Sequence, residues 1–144
     1  MTTVNDTIQA FGYPDTVLKE YKYWVVLLRP AQVTLGTVVI ANKSNATFLG
    51  EVNEAEWSEF SLVAREVELA LINTFGAEKF NYLALMMKDP NVHFHVVPRY
   101  SKTVMFENET FEDKDWPLKT ELNSIELQKD TFKVLKEKLV EVMS

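Results

Sequence analysis

The sequence predicts an α+β domain with a mostly antiparallel, five-stranded sheet, one long central helix and a C-terminal helix. The grounds are a pair of β-branched and aromatic runs joined by a short turn, a long stretch of helical periodicity, and two more strand-like runs after it. Trp24-Val25-Val26-Leu27-Leu28 has strand composition and stops before Pro30, which cannot donate to a ladder. Thr37 to Ala41 follows the turn at Leu35-Gly36, so the two runs predict an antiparallel hairpin.

From Glu54 to Phe75 the period lengthens. Trp57, Phe60, Ala64, Val67 and Leu71 recur at spacings of three and four, which places them on one helix face. Asn53 is set to cap that helix, with Glu56 completing a capping box, and Gly76 suits the left-handed residue after its end. Tyr82 to Met86 and Val92 to Val97 predict two buried strands, with the break between them cut to Lys88-Asp89-Pro90. Glu107 to Asp115 is rich in acids and closed by Trp116-Pro117, and predicts an irregular connection. A last helix is expected from Asn123 or Ser124. It carries Phe132, Leu135, Leu139 and Val142 on one face and a solvated row of Lys129, Lys133, Lys136 and Glu137 on the other.

The 144 residues, 47% hydrophobic and 25% charged, fit one folded domain and argue against disorder. A net charge of −6 argues against binding along a nucleic-acid backbone, while leaving room for a small phosphorylated ligand. Without cysteine there are neither disulfides nor thiolate metal sites. No signal peptide or membrane-length apolar run is read, so the expected location is cytoplasmic, away from any membrane.

The chemistry concentrates in Asn91-Val92-His93-Phe94-His95-Val96-Val97-Pro98-Arg99, which holds both histidines of the chain. Side chains alternate along a strand, so Asn91, His93 and His95 share one outer or cleft face and Val92, Phe94 and Val96 turn to the core. Three readings fit such a row. The histidines could decorate a sheet surface, they could bind a metal with carboxylates brought from elsewhere, or one neutral imidazole could attack phosphorus while the other binds a phosphoryl oxygen. Spacing does not choose among them.

The segment from Asn91 to Arg99 resembles the signature of the histidine triad family, in which three histidines alternate with apolar residues before Pro-Arg. The order of the preceding elements, from the hairpin with Gly36 at its turn through the long helix, is similar as well. The resemblance implies a single domain over residues 1–144, with a histidine triad core over about 12–105 and the acidic segment and last helix over 106–144. It implies hydrolysis or transfer at nucleotide phosphoanhydride or phosphoramidate linkages, dinucleoside polyphosphates included. His93 would be the nucleophile that becomes transiently nucleotidylated, and His95 would contact the reacting phosphate. No cofactor is required on this reading, magnesium entering only with a polyphosphate substrate, and the protein is expected to be a homodimer. The same fold could instead serve as a nucleotide-binding module with little turnover.

Several positions depart from the family pattern. Asn91 stands at the first triad position and cannot titrate near neutral pH, so only a supporting, substrate-binding role is expected of it. Arg29 occupies a position where relatives place an acceptor against ribose. Guanidinium cannot accept, so Arg29 is expected either to grip a second phosphate or to pair with a nearby acid. Lys88 either replaces the uncharged donors expected of the shortened loop or is simply solvated. Arg99 is expected as a supporting substrate-side residue.

Overall fold

The computed structural model describes residues 4–144. A short helix, α1 (Asp6–Ala10), leads into strands β1 (Val17–Glu20) and β2 (Trp24–Leu28), a two-residue strand β3 (Ala31–Gln32) and β4 (Val38–Asn42). The long helix α2 (Glu54–Phe75) separates these from β5 (Lys79–Leu83) and β6 (His93–Arg99). A small hairpin, β7 (Val104–Phe106) and β8 (Glu109–Phe111), then β9 (Ile125–Glu126) and α3 (Lys129–Met143) complete the chain. The main sheet has five strands in the order β1-β2-β4-β6-β5, and each neighbouring pair is antiparallel.

The two sheet faces have different work. Trp24, Val26 and Leu28 of β2, Val38 and Ile40 of β4, and Val96 of β6 pack against Val63, Val67, Ala70 and Leu71 of α2. Leu135, Leu139 and Met143 of α3 join the same cluster. The opposite face carries Val25, Leu27, Val39 and Ala41, and Ile8 of α1 is seated on them. Burial of a Leu or Ile side chain contributes roughly 1.5–3 kcal/mol, so even the single turn of α1 is held firmly by Ile8.

The caps of α2 form as the sequence predicts. Asn53 accepts from the Glu56 N–H at 2.9 Å, the Glu56 carboxylate returns to the Asn53 N–H, and Gly76 closes the helix at φ +78°. Gly36 has a second reason to be glycine. Its φ is +96°, and a Cβ there would lie 2.5 Å from Cδ2 of Leu71.

Several sequence expectations are corrected. The third strand of the predicted set is Lys79–Leu83 rather than Tyr82–Met86, and its neighbour is His93–Arg99 rather than Val92–Val97. Pairing runs from Lys79↔Arg99 to Leu83↔His95 and stops there. Met86 takes a positive φ of 44°, which no extended strand tolerates. The connection is therefore the whole stretch 84–92, not a loop cut to three residues. The acidic segment is only partly irregular, because Glu107 and Asn108 adopt φ of 51° and 64° and turn the β7–β8 hairpin. The last helix starts at Lys129. On it Thr131, Leu135, Leu139 and Met143 are buried, while Val142 faces outward.

Candidate active site

The site lies on the α1 side of the sheet. His93 pairs with Ala41 and His95 with Val39, and these two partners belong to the face that α1 covers. Both imidazoles therefore project toward α1, while Val92, Phe94 and Val96 turn to the main core as predicted. The ring centroids of His93 and His95 are 5.0 Å apart and nearly perpendicular. Phe11, at the end of α1, packs 5.3 Å from the first ring and 5.6 Å from the second.

The polar row is not an open surface. Asn91 is 9% and His93 only 2% exposed, because α1 and Phe11 lie over them. That helix is absent from the sequence expectations, although Val4, Ile8 and Phe11 at helical spacing behind an Asn5 cap carry its signal. Asn5 accepts from the Ile8 N–H at 2.9 Å. Its own amide donates to the carbonyls of Asn42 and Ser44, which fixes α1 to the end of β4.

Asn91 acts through its backbone. Its carbonyl lies 2.7 Å from Nδ1 of His93. A carbonyl can only accept, so Nδ1 carries a proton, and in the neutral form of the ring the free lone pair lies on Nε2. The Asn91 side chain is engaged elsewhere. Its Oδ1 accepts from the Thr7 hydroxyl at 3.0 Å and its amide donates to the Asn45 carbonyl at 3.3 Å, while the Asn91 backbone N–H donates to Thr7 Oγ1 at 3.0 Å. The expected substrate contact by this side chain is thus replaced by a clamp that holds the peptide orienting His93.

His95 is half-buried, and its Nδ1 is buried without a hydrogen-bond partner among the described residues. Its pKa is pushed down to about 4, first by burial, then by the adjacent His93 and by the positive charge of Arg29. The ring is therefore neutral at pH 7. The unfolded chain takes up a proton near the ordinary value of 6.5 that the folded chain refuses until about pH 4. The stability associated with His95 is complete above pH 6.5, falls as pH drops from 6.5 to 4, and levels below that. We expect the His95 ring to titrate near pH 4 by NMR, and the urea midpoint to fall across that window. His95→Gln should flatten the fall; an unchanged slope in that variant would assign the effect to another group.

The remaining expected residues separate. Arg29 follows β2, and its charge reaches His95. Arg99 lies at the end of β6, 4% exposed, where Nε is 2.6 Å from Asp113 Oδ2 and Nη1 donates to Asn81 at 2.6 Å. Its Nη2 bonds Asp113 Oδ1 and the Leu118 carbonyl. Its donors are committed to the protein, so the substrate-side role is corrected to a structural one. Lys88 is exposed, with no hydrogen bond or ion pair among the described residues; nothing brings it to the histidines.

The chain has the fold of the histidine triad proteins. It matches along its full length a histidine triad protein from Marinobacter aquaeolei, with a TM-score of 0.71, 18% identity, and 100% of this chain and 99% of the other covered. A hypothetical histidine triad nucleotide-binding protein from Sulfolobus tokodaii matches with a TM-score of 0.67 and 17% identity over 89% of this chain and 83% of that one. A zinc-bound histidine triad family protein from Mycobacterium smegmatis gives a TM-score of 0.60 at 15% identity, over 88% and 84%. No protein-family model matches the sequence, and no curated protein does. Among the described residues no helix is long and apolar enough to cross a membrane.

Proposed function

We propose that the chain is a metal-independent nucleotidyl hydrolase or transferase acting on nucleotide phosphoanhydride or phosphoramidate bonds, with His93 as the nucleophile. One observation supports it above the others. The buried Nδ1–H of His93 is held on the Asn91 carbonyl at 2.7 Å, which leaves Nε2 as the site of attack on a rigid strand beside the neutral imidazole of His95. The similarity to a protein described as nucleotide-binding agrees with it.

In the first step the Nε2 lone pair attacks the α-phosphorus. A P–N bond forms while the bond to the leaving group breaks, and that group departs with the electron pair and takes a proton from water or a neighbouring acid. In the second step water attacks the same phosphorus and releases a proton to solvent, the P–N bond breaks with its electron pair returning to Nε2, and nucleoside monophosphate and neutral His93 are restored. His95 donates from a ring nitrogen to a phosphoryl oxygen as charge builds there. Magnesium enters as a companion of the polyphosphate, and two copies of the chain assemble about a two-fold axis.

Asn91 favours a second reading. No titratable group stands at that position, so a nucleotide-binding module with little turnover would show the same clamp. Incubation with adenine and guanine nucleotides, dinucleoside polyphosphates and phosphoramidates separates the two. Release of nucleoside monophosphate in the presence of a chelator is expected. Tight binding with no product from any member of the panel would favour the module. Sedimentation should give twice 16.6 kDa, and a monomer would remove the dimer from this proposal.

A further inference from the structure

Arg29 is a half-buried cation on the site face for which the described residues supply no partner. Its N–H donates to the Thr37 carbonyl at 3.2 Å, so strand pairing continues through it and its side chain follows Val25 and Leu27 onto the histidine face. Among the described residues its guanidinium makes no hydrogen bond and no ion pair. Glu126, on the β9 segment paired with β3, acts on it only through charge. Arg99 offers the contrast within the same molecule: equally fixed on a strand, it is bonded through all three guanidinium nitrogens to Asp113, Asn81 and Leu118. A guanidinium withdrawn from water without acceptors is costly, and burial lowers its pKa. Its planar fork of donors matches the paired oxygens of a phosphate or a carboxylate, and phosphate is the anion expected beside the histidines.

The position fits the same chemistry. β2 and β6 are separated by β4 alone, so Arg29 lies roughly 10 Å across the sheet from the histidine strand. By register it is two residues beyond the level of His95 and four beyond that of His93. The Arg29 charge is close enough to act on His95. The order along the face is then His93, His95, Arg29.

We propose that Arg29 forms an anion subsite for a second phosphate on the molecule whose reacting phosphorus meets His93, so that the preferred ligands are nucleotides carrying at least two phosphate groups. The position of the reacting phosphorus rests on the nucleophile reading above; the subsite itself does not require turnover. The second phosphate could belong to a polyphosphate chain or to the sugar, and the two are separable.

Titration calorimetry on the full chain carrying His93→Ala, which removes turnover, would compare AMP, ADP and adenosine 3′,5′-bisphosphate, with the guanine set alongside. A second phosphate should tighten binding about 10–100-fold, the range of a charge-assisted bidentate contact. Adding Arg29→Gln should erase that gain and leave the monophosphate within about threefold, while Arg29→Lys should keep part of it. A gain confined to the diphosphate places the group on the chain, and one confined to the bisphosphate places it on the sugar. No gain, a gain that survives Arg29→Gln in folded protein, or no binding by any of these ligands would overturn the subsite. Wild-type turnover without the gain would leave the nucleophile standing alone, and the gain without turnover would leave the subsite alone.

Discussion

His93→Ala should abolish nucleotide turnover by several orders of magnitude while leaving nucleotide affinity largely intact. The reason is the timing of the lost interaction: the P–N bond exists in the transition state and the intermediate, not in the ground-state complex. The ring is only 2% exposed, and its removal leaves the Asn91 carbonyl without its donor, so some stability is lost with it. His93→Gln keeps an amide able to reach that carbonyl, and it should be equally inactive while folding better. His95→Ala should cost less, on the order of 10²–10³-fold, as expected for one donor to a developing oxyanion. Quenching wild-type reactions in alkali should trap an acid-labile nucleotidyl adduct on His93. Near-normal turnover by His93→Gln with a verified substrate would refute the covalent route and leave a resemblance of fold alone.

The face that bears the histidines was legible from alternation, because Val92, Phe94 and Val96 are apolar and a period of two leaves the polar set no other side. What covers that face was not. α1 is a single turn, too short for periodicity to stand out, and its hold on the sheet comes from Ile8 and the Asn5 amide meeting residues far along the chain. The helix α2 was readable to its ends, since cap chemistry is local and both Asn53 and Gly76 sit at the boundary they specify. The end of β5 was not, since Ala84, Leu85 and Met86 look as strand-like as Tyr82 and Leu83. Only the pairing with β6 decides where the ladder stops. Arg99 failed for a related reason. Its partner Asp113 lies in the acidic stretch after the hairpin, and no sequence pattern joins the two.

Arg99→Met should be the most destabilising of the substitutions considered, because it strands Asp113. The pair is buried, with side-chain exposures of 5% and 3%, and it is bidentate, at 2.6 Å and 3.1 Å. Removing one member of a buried pair typically costs about 3–5 kcal/mol, chiefly through the charge left unpaired. Asp113 also accepts the Tyr100 N–H at 3.1 Å, and Arg99 holds the Leu118 carbonyl, so the segment after β8 should loosen from the end of β6. Urea unfolding should show the midpoint of Arg99→Met well below that of the wild type. Arg99→Met with Asp113→Leu should recover part of the loss, since no lone charge then remains buried. Under conditions where the single variant is still folded, its KM for a verified substrate should be unchanged, because every donor group of the guanidinium is already bonded within the protein. A large rise in KM without loss of stability would return Arg99 to the substrate.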